Sequence, residues 1–169
     1  MSVTNRVLIS FMEEMKIPKE ISEKISSLQK NIEDFIQKVM SELGFANQEV
    51  SVFFCDNPYI KELNKTYRNI DNATDVLSFE NGDEYEDEEG KWKCAGDIVI
   101  SFETLLENSI YFDENKDDEF KRLLVHGLLH LNGMDHGEEH IEKGVEPECE
   151  MLKIQENILQ KFKDEKIIL

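Results

Sequence analysis

The chain has 169 residues, 40% of them hydrophobic and 9% aromatic, with three Pro and eight Gly. That mixture excludes collagen-like, low-complexity and disordered classes, and the length suits one globular domain over 1–169. Nineteen basic residues against 37 acidic ones leave a formal charge of −18, which excludes a generic basic nucleic-acid binder and disfavours an anionic membrane surface. A local basic strip around a site remains compatible with it.

Cys55, Cys94 and Cys149 are odd in number and far apart, with no C-x-x-C, so neither a disulfide framework nor a thiolate zinc knuckle is expected. No apolar run approaches the roughly 20 residues of a membrane helix, and the start MSVTNRVLISFMEE does not read as a signal peptide. A reducing, cytoplasmic setting without a membrane partner is the expectation.

Taken in chain order, Asn5 to Phe11 reads as a strand carried by Val7, Leu8 and Ile9. After Pro18, apolar residues at Ile21, Ile25, Leu28, Ile32, Ile36, Val39 and Met40 step by threes and fours, predicting a helix to Leu43 with Gly44 as its C-cap. VSVFFC (Val50 to Cys55) reads as a strand. Asn57-Pro58 then predicts an N-cap and first turn for a helix to Arg68. Thr74 to Phe79 and Gly96 to Ser101 are two further strands, joined by a loop with six acids among Asp83 to Glu89, read as solvated. Helices follow at Phe102 to Tyr111, at Asp118 to about Asn132 and at about Pro147 to Phe162. Acids from Asp113 to Glu119 suit the first turn of the middle one, which is apolar nearly all round and therefore central. The total is an α/β (α+β) fold with a small mixed four-stranded sheet and about five helices.

Three of the four histidines fall within HGLLHLNGMDH, at His126, His130 and His136. Positions i and i+4 project from one helix face, so His126 and His130 can hold one ion together. Asn132-Gly133 ends the helix, and the reversal that glycine permits can return His136 as a third imidazole. This is the spacing of a zincin-like metal helix, and three ligands with an open fourth position is the catalytic zinc arrangement. Zinc is the first choice; nickel, iron and manganese also accept imidazole.

The residue after His126 is Gly127, where the metallopeptidase motif carries the Glu that serves as general base. A zinc peptidase of that design lacks its base. What remains is the ion itself, which brings the pKa of bound water to about 7.

Together, LNKTYRNIDNATDVLSF (Leu63–Phe79), GDIVIS (Gly96–Ser101) and the histidine block resemble the YbeY family, bacterial endoribonucleases that mature ribosomal RNA. The blocks match in order and spacing, over about residues 50–160. Met134 stands where an aromatic is common and Glu80 where proline is common, and the acidic loop Gly82 to Lys93 is this chain's own. None of these is expected to touch a predicted ligand. The resemblance implies one zinc on His126, His130 and His136 and single-strand-specific cleavage in 3′-end processing of small-subunit ribosomal RNA. It also implies a part in ribosome quality control. Its partners would be single-stranded ribosomal RNA and the small ribosomal subunit or ribosome-assembly proteins. The family's functional arginine falls on Arg68.

The residue itself permits that role: a guanidinium at a helix end beside a cleft can fork onto a phosphate, although helix ends also favour a plain surface arginine. Lys61 and Lys65, and less directly Lys121 and Arg122, are candidates for a local positive strip. His140 reads as a surface histidine before a fourth ligand or proton shuttle. Asp135 reads as an orienting group or a turn former, and Asp75 and Asp97 as capping or turn residues. Two further readings stand beside the nuclease: a zinc metallopeptidase, and a non-catalytic assembly factor whose zinc only braces the fold.

Overall fold

A computed structural model describes residues 5–111, 115–137, 140–142 and 144–168. The start of the chain, Asp113, Glu114 and the two glutamates before His140 therefore lie outside the described residues. Five strands form one sheet in the order β1 (Arg6–Phe11), β2 (Gln48–Cys55), β5 (Gly90–Ser101), β3 (Val76–Glu80), and β4 (Glu84–Asp87) also pairs with β5. β1, β2 and β5 are parallel, while β3 and β4 run antiparallel to β5. Six helices accompany them among the described residues: α1 (Lys19–Ser22), α2 (Ile25–Glu42), α3 (Asn57–Arg68), α4 (Phe102–Tyr111), α5 (Lys116–Leu131) and α6 (Glu150–Lys161).

Period-2 alternation sorts the strand residues onto two faces. Val50, Val52 and Phe54 of β2 and Ile98 and Ile100 of β5 join α2, α5 and α6 in the larger core. Cys55, Leu77 and Val99 face the other way, and Ile60 and Leu63 of α3 cover them. Between β2 and β5 the register skips Ala95, a bulge that brings Gly96 to a φ of 139°. A Cβ there would collide with the Phe79 carbonyl, so glycine is required.

Several boundaries differ from expectation. The expected 21–43 helix breaks near Glu23 into α1 and α2. The N-cap of α3 is Asp56, whose carboxylate accepts from Tyr59 N–H at 3.0 Å. Asn57, expected there, instead accepts from the hydroxyls of Ser101 and Thr104. α6 starts at Glu150, not Pro147.

The acidic stretch is only partly the solvated loop expected of it. Part of it is β4 and the extended start of β5, which is why the sheet has five strands instead of four. Arg6 clamps this hairpin from β1, donating to Asp87 at 2.6 Å and Glu89 at 2.7 Å while its guanidinium lies 3.9 Å from the Trp92 ring centroid. A cation distant in sequence thus neutralises part of the acidic run.

Candidate metal centre and cleft

α5 lies at the middle of the molecule, packed on β3 and β5 and flanked by α2, α4 and α6. Its near-continuous apolar sequence follows from this, with Phe120, Leu124, Val125, Leu128 and Leu129 fully buried. Asn115 caps its N-terminus by accepting from Asp118 N–H at 2.8 Å. At the other end Gly133 N–H donates to the His130 carbonyl and Met134 N–H to the Leu129 carbonyl, both at 3.1 Å. With Gly133 at a φ of 83°, these bonds form the glycine-terminated reversal expected from Asn132-Gly133.

The reversal returns His136 to the helix. Ring centroids of His126, His130 and His136 lie 4.6–5.3 Å apart, and one ring nitrogen from each falls within 4.8 Å of the others. His126 Nδ1 faces Gln155 Oε1 at 2.8 Å, and His130 Nδ1 faces the Met134 carbonyl at 3.0 Å, so Met134, against expectation, does touch a predicted ligand, through its backbone. A carbonyl only accepts, so each Nδ1 carries the hydrogen and each Nε2 keeps its lone pair. The two Nε2 atoms then confront each other at 3.0 Å, two acceptors that a shared cation reconciles. Burial lowers His130 and brings His126 down to about 4, so His126 is neutral at physiological pH. Convergent imidazole nitrogens are what a divalent transition ion needs, and these three residues could hold one.

The three histidines line a cleft of about 510 Å³ together with Arg68 from the end of α3, Asp75 just before β3, and Ser78 and Glu80 on that strand. Arg68 is exposed and, unlike Arg6 and Arg122, makes no ion pair among the described residues. It is thus an uncommitted guanidinium beside three imidazoles.

The other expected members of a positive strip do not join it. Lys121 is 1% exposed and donates to the carbonyls of Phe162, Lys163 and Glu165. Arg122 lines the cleft but is engaged by Glu156 at 3.0 Å and Glu119 at 3.6 Å. Lys61 reaches Asp71 at 4.0 Å.

His140 lies at the cleft, its ring 5.4 Å from that of His136, but it is outside the group of three. Asp135 is a turn former, accepting from Gly137 N–H at 3.1 Å, and that backbone bond lowers its carboxyl. Asp75 does more than the turn bonding expected of it. Its Oδ1 accepts from Val76 N–H at 2.7 Å and its Oδ2 from Asn108 at 2.9 Å, while burial pushes its carboxyl up. Sequence reasoning passed over Gln155 entirely; a glutamine within an amphipathic helix carries no motif.

The family model described as Endoribonuclease YbeY matches residues 13–163. Curated relatives named Endoribonuclease YbeY include one from Treponema denticola, 50% identical over 137 residues, covering 80% of this chain and 84% of that protein. Another, from Aquifex aeolicus, is 38% identical over 158 residues, covering 94% and 92%. A solution structure of a Thermotoga maritima protein superposes with a TM-score of 0.52 at 23% identity, covering 94% of this chain and 92% of that one, and bears on the fold alone.

Proposed function

The chain belongs to the endoribonuclease YbeY family, and from that premise we propose that it is a zinc-dependent, single-strand-specific endoribonuclease of small-subunit ribosomal RNA maturation. The observation that carries the proposal is the shared cleft. His126, His130 and His136 can hold one ion there, and the unpaired Arg68 lines the same cleft. The ion when bound supplies Lewis-acid chemistry and water activation.

Arg68 binds and orients the phosphodiester, its planar fork matching two phosphate oxygens and offsetting the charge that builds on phosphorus oxygens during cleavage. Gln155 and the Met134 carbonyl hold protons on the imidazole nitrogens that face away from the site.

The −18 charge sets the manner of substrate binding. Phosphate neutralisation dominates RNA affinity, and a single uncommitted arginine in the cleft neutralises little. Substrate is therefore presented on the small ribosomal subunit or by an assembly protein, in the cytoplasm, and the same site serves ribosome quality control. Among the described residues no helix is long and apolar enough to cross a membrane.

Cleavage of a labelled single-stranded ribosomal RNA fragment, with and without chelator and with His126→Ala, tests this reading. Metal-dependent cleavage lost in the variant supports it. Unfolding on chelation with no metal-dependent cleavage would instead favour a zinc-braced assembly factor, and metal analysis of the same preparation identifies the ion.

A further inference from the structure

Gln155 of α6 is 1% exposed and is the buried polar side chain through which that helix meets His126. Its amide oxygen lies 2.8 Å from His126 Nδ1, and its Nε2 donates to Glu156 Oε2 at 3.0 Å. The Glu156 carboxylate is in turn gripped by Arg122, through Nη2 at 3.0 Å and Nε at 3.4 Å. Arg122 also reaches Glu119 on its own helix, at 3.6 Å.

An amide has one accepting end and one donating end, and a half-turn about its last bond exchanges them. Here the exchanged orientation would set the amide oxygen against a carboxylate oxygen and aim its N–H groups at the imidazole. The Glu156 carboxylate forbids that, because two acceptors would face each other with no hydrogen between them. The accepting end must face His126. Its Nδ1 must then carry the hydrogen, which leaves the Nε2 lone pair toward His130 and His136.

We propose that Gln155, oriented by the Glu156–Arg122 pair, is a positioning residue that sets the tautomer and ring angle of His126 for metal binding. This rests on the reading of the three histidines as a metal centre. Partners that bond the far nitrogen of a ligand imidazole typically contribute 10- to 100-fold in metal affinity. A glutamine accepts without adding charge, so it fixes the proton while leaving the site's net charge to the ion.

The test uses the full chain, its Gln155→Met variant, which keeps length and packing but cannot accept a comparable hydrogen bond, and the double variant Gln155→Glu with Glu156→Gln, in which the new carboxylate still accepts from His126 while the new amide supplies the hydrogen between the two side chains. Long-range proton–nitrogen NMR of the metal-free protein should show His126 as the Nδ1–H tautomer in the parent and a mixture in Gln155→Met. His130, held by the Met134 carbonyl, should be unchanged in both, a selectivity that mere loosening of the fold would not give. Zinc affinity, measured by competition with a chromophoric chelator, should fall about 10- to 100-fold in Gln155→Met and recover in the double variant.

A folded Gln155→Met chain with the parent's His126 tautomer and zinc affinity overturns the proposal. Should Gln155→Met fail to fold, the double variant decides: retention of the Nδ1–H tautomer and tight zinc binding supports the role, and loss of either refutes it. If the parent binds no zinc while the tautomer responds as stated, the metal-centre reading fails and the hydrogen-bond assignment stands.

Discussion

Gly127 lies so close to Ile98 that a Cβ built on it would stand 2.8 Å from Ile98 Cγ2. The helix that carries His126 is pressed against β5 at the one position where a metallopeptidase of this spacing places its general base. Gly127→Ala should destabilise the protein by about 1–3 kcal/mol through overpacking, and Gly127→Glu by at least as much. Urea titrations give both values. Gly127→Glu should also hydrolyse no peptide, since one carboxylate does not shape a cleft for an extended chain; robust casein cleavage by that variant would contradict this.

Substituting any of His126, His130 or His136 with Ala should abolish binding of about one metal ion per chain. The three nitrogens share one small space, and removing one leaves two donors, too few for a tight site. Elemental analysis after dialysis decides, and full metal content in His130→Ala would sink the assignment.

Arg68→Ala should leave fold and metal content intact and slow RNA cleavage about a hundred- to a thousandfold, the usual cost of one preorganised donor to a developing oxyanion. Arg68→Lys should recover little, because an ammonium keeps the charge and loses the planar fork. Single-turnover rates at saturating protein separate chemistry from weak binding. Equal rates for the three proteins would remove Arg68 from the reaction.

Asp75 sets part of the response to pH. Burial raises its carboxyl above the ordinary value near 3.8, over the opposing hydrogen bonds from Val76 and Asn108. The folded chain then holds this proton more tightly than the unfolded chain. Its contribution to stability is therefore largest below the ordinary carboxyl range and is lost as pH rises through the raised value. Asp75→Asn should flatten that part of the stability–pH curve of the metal-free protein. An unchanged slope in urea midpoints measured across the acidic range would show that Asp75 is not desolvated in solution.

What the sequence disclosed and what it concealed divide along the range of the interactions. The i, i+4 histidines and the glycine that ends their helix are local, and the three imidazoles converge as the spacing predicts. Gln155 lies 29 residues from His126, and nothing in its neighbourhood announces that an amide is needed. Lys121 reads as surface because lysine in a polar first turn usually is; only the fold shows carbonyls beyond the end of α6 waiting for its ammonium. The acidic hairpin reads as solvated for a similar reason, since its cation, Arg6, comes from the far edge of the sheet.

Lys121 and Asp117 together have an effect on how the molecule opens. The segment 162–168 supplies three carbonyls to Lys121, and Ile167 and Ile168 donate their N–H groups to Asp117, both at 2.7 Å. Peeling that segment away would break all five of these hydrogen bonds to charged groups, each worth about 1.5–3 kcal/mol. The segment should therefore open together with α5, its amides exchanging with solvent hydrogen alongside those of that helix. Strain on residues 162–168 would be passed through Lys121 and Asp117 to the helix that bears His126 and His130.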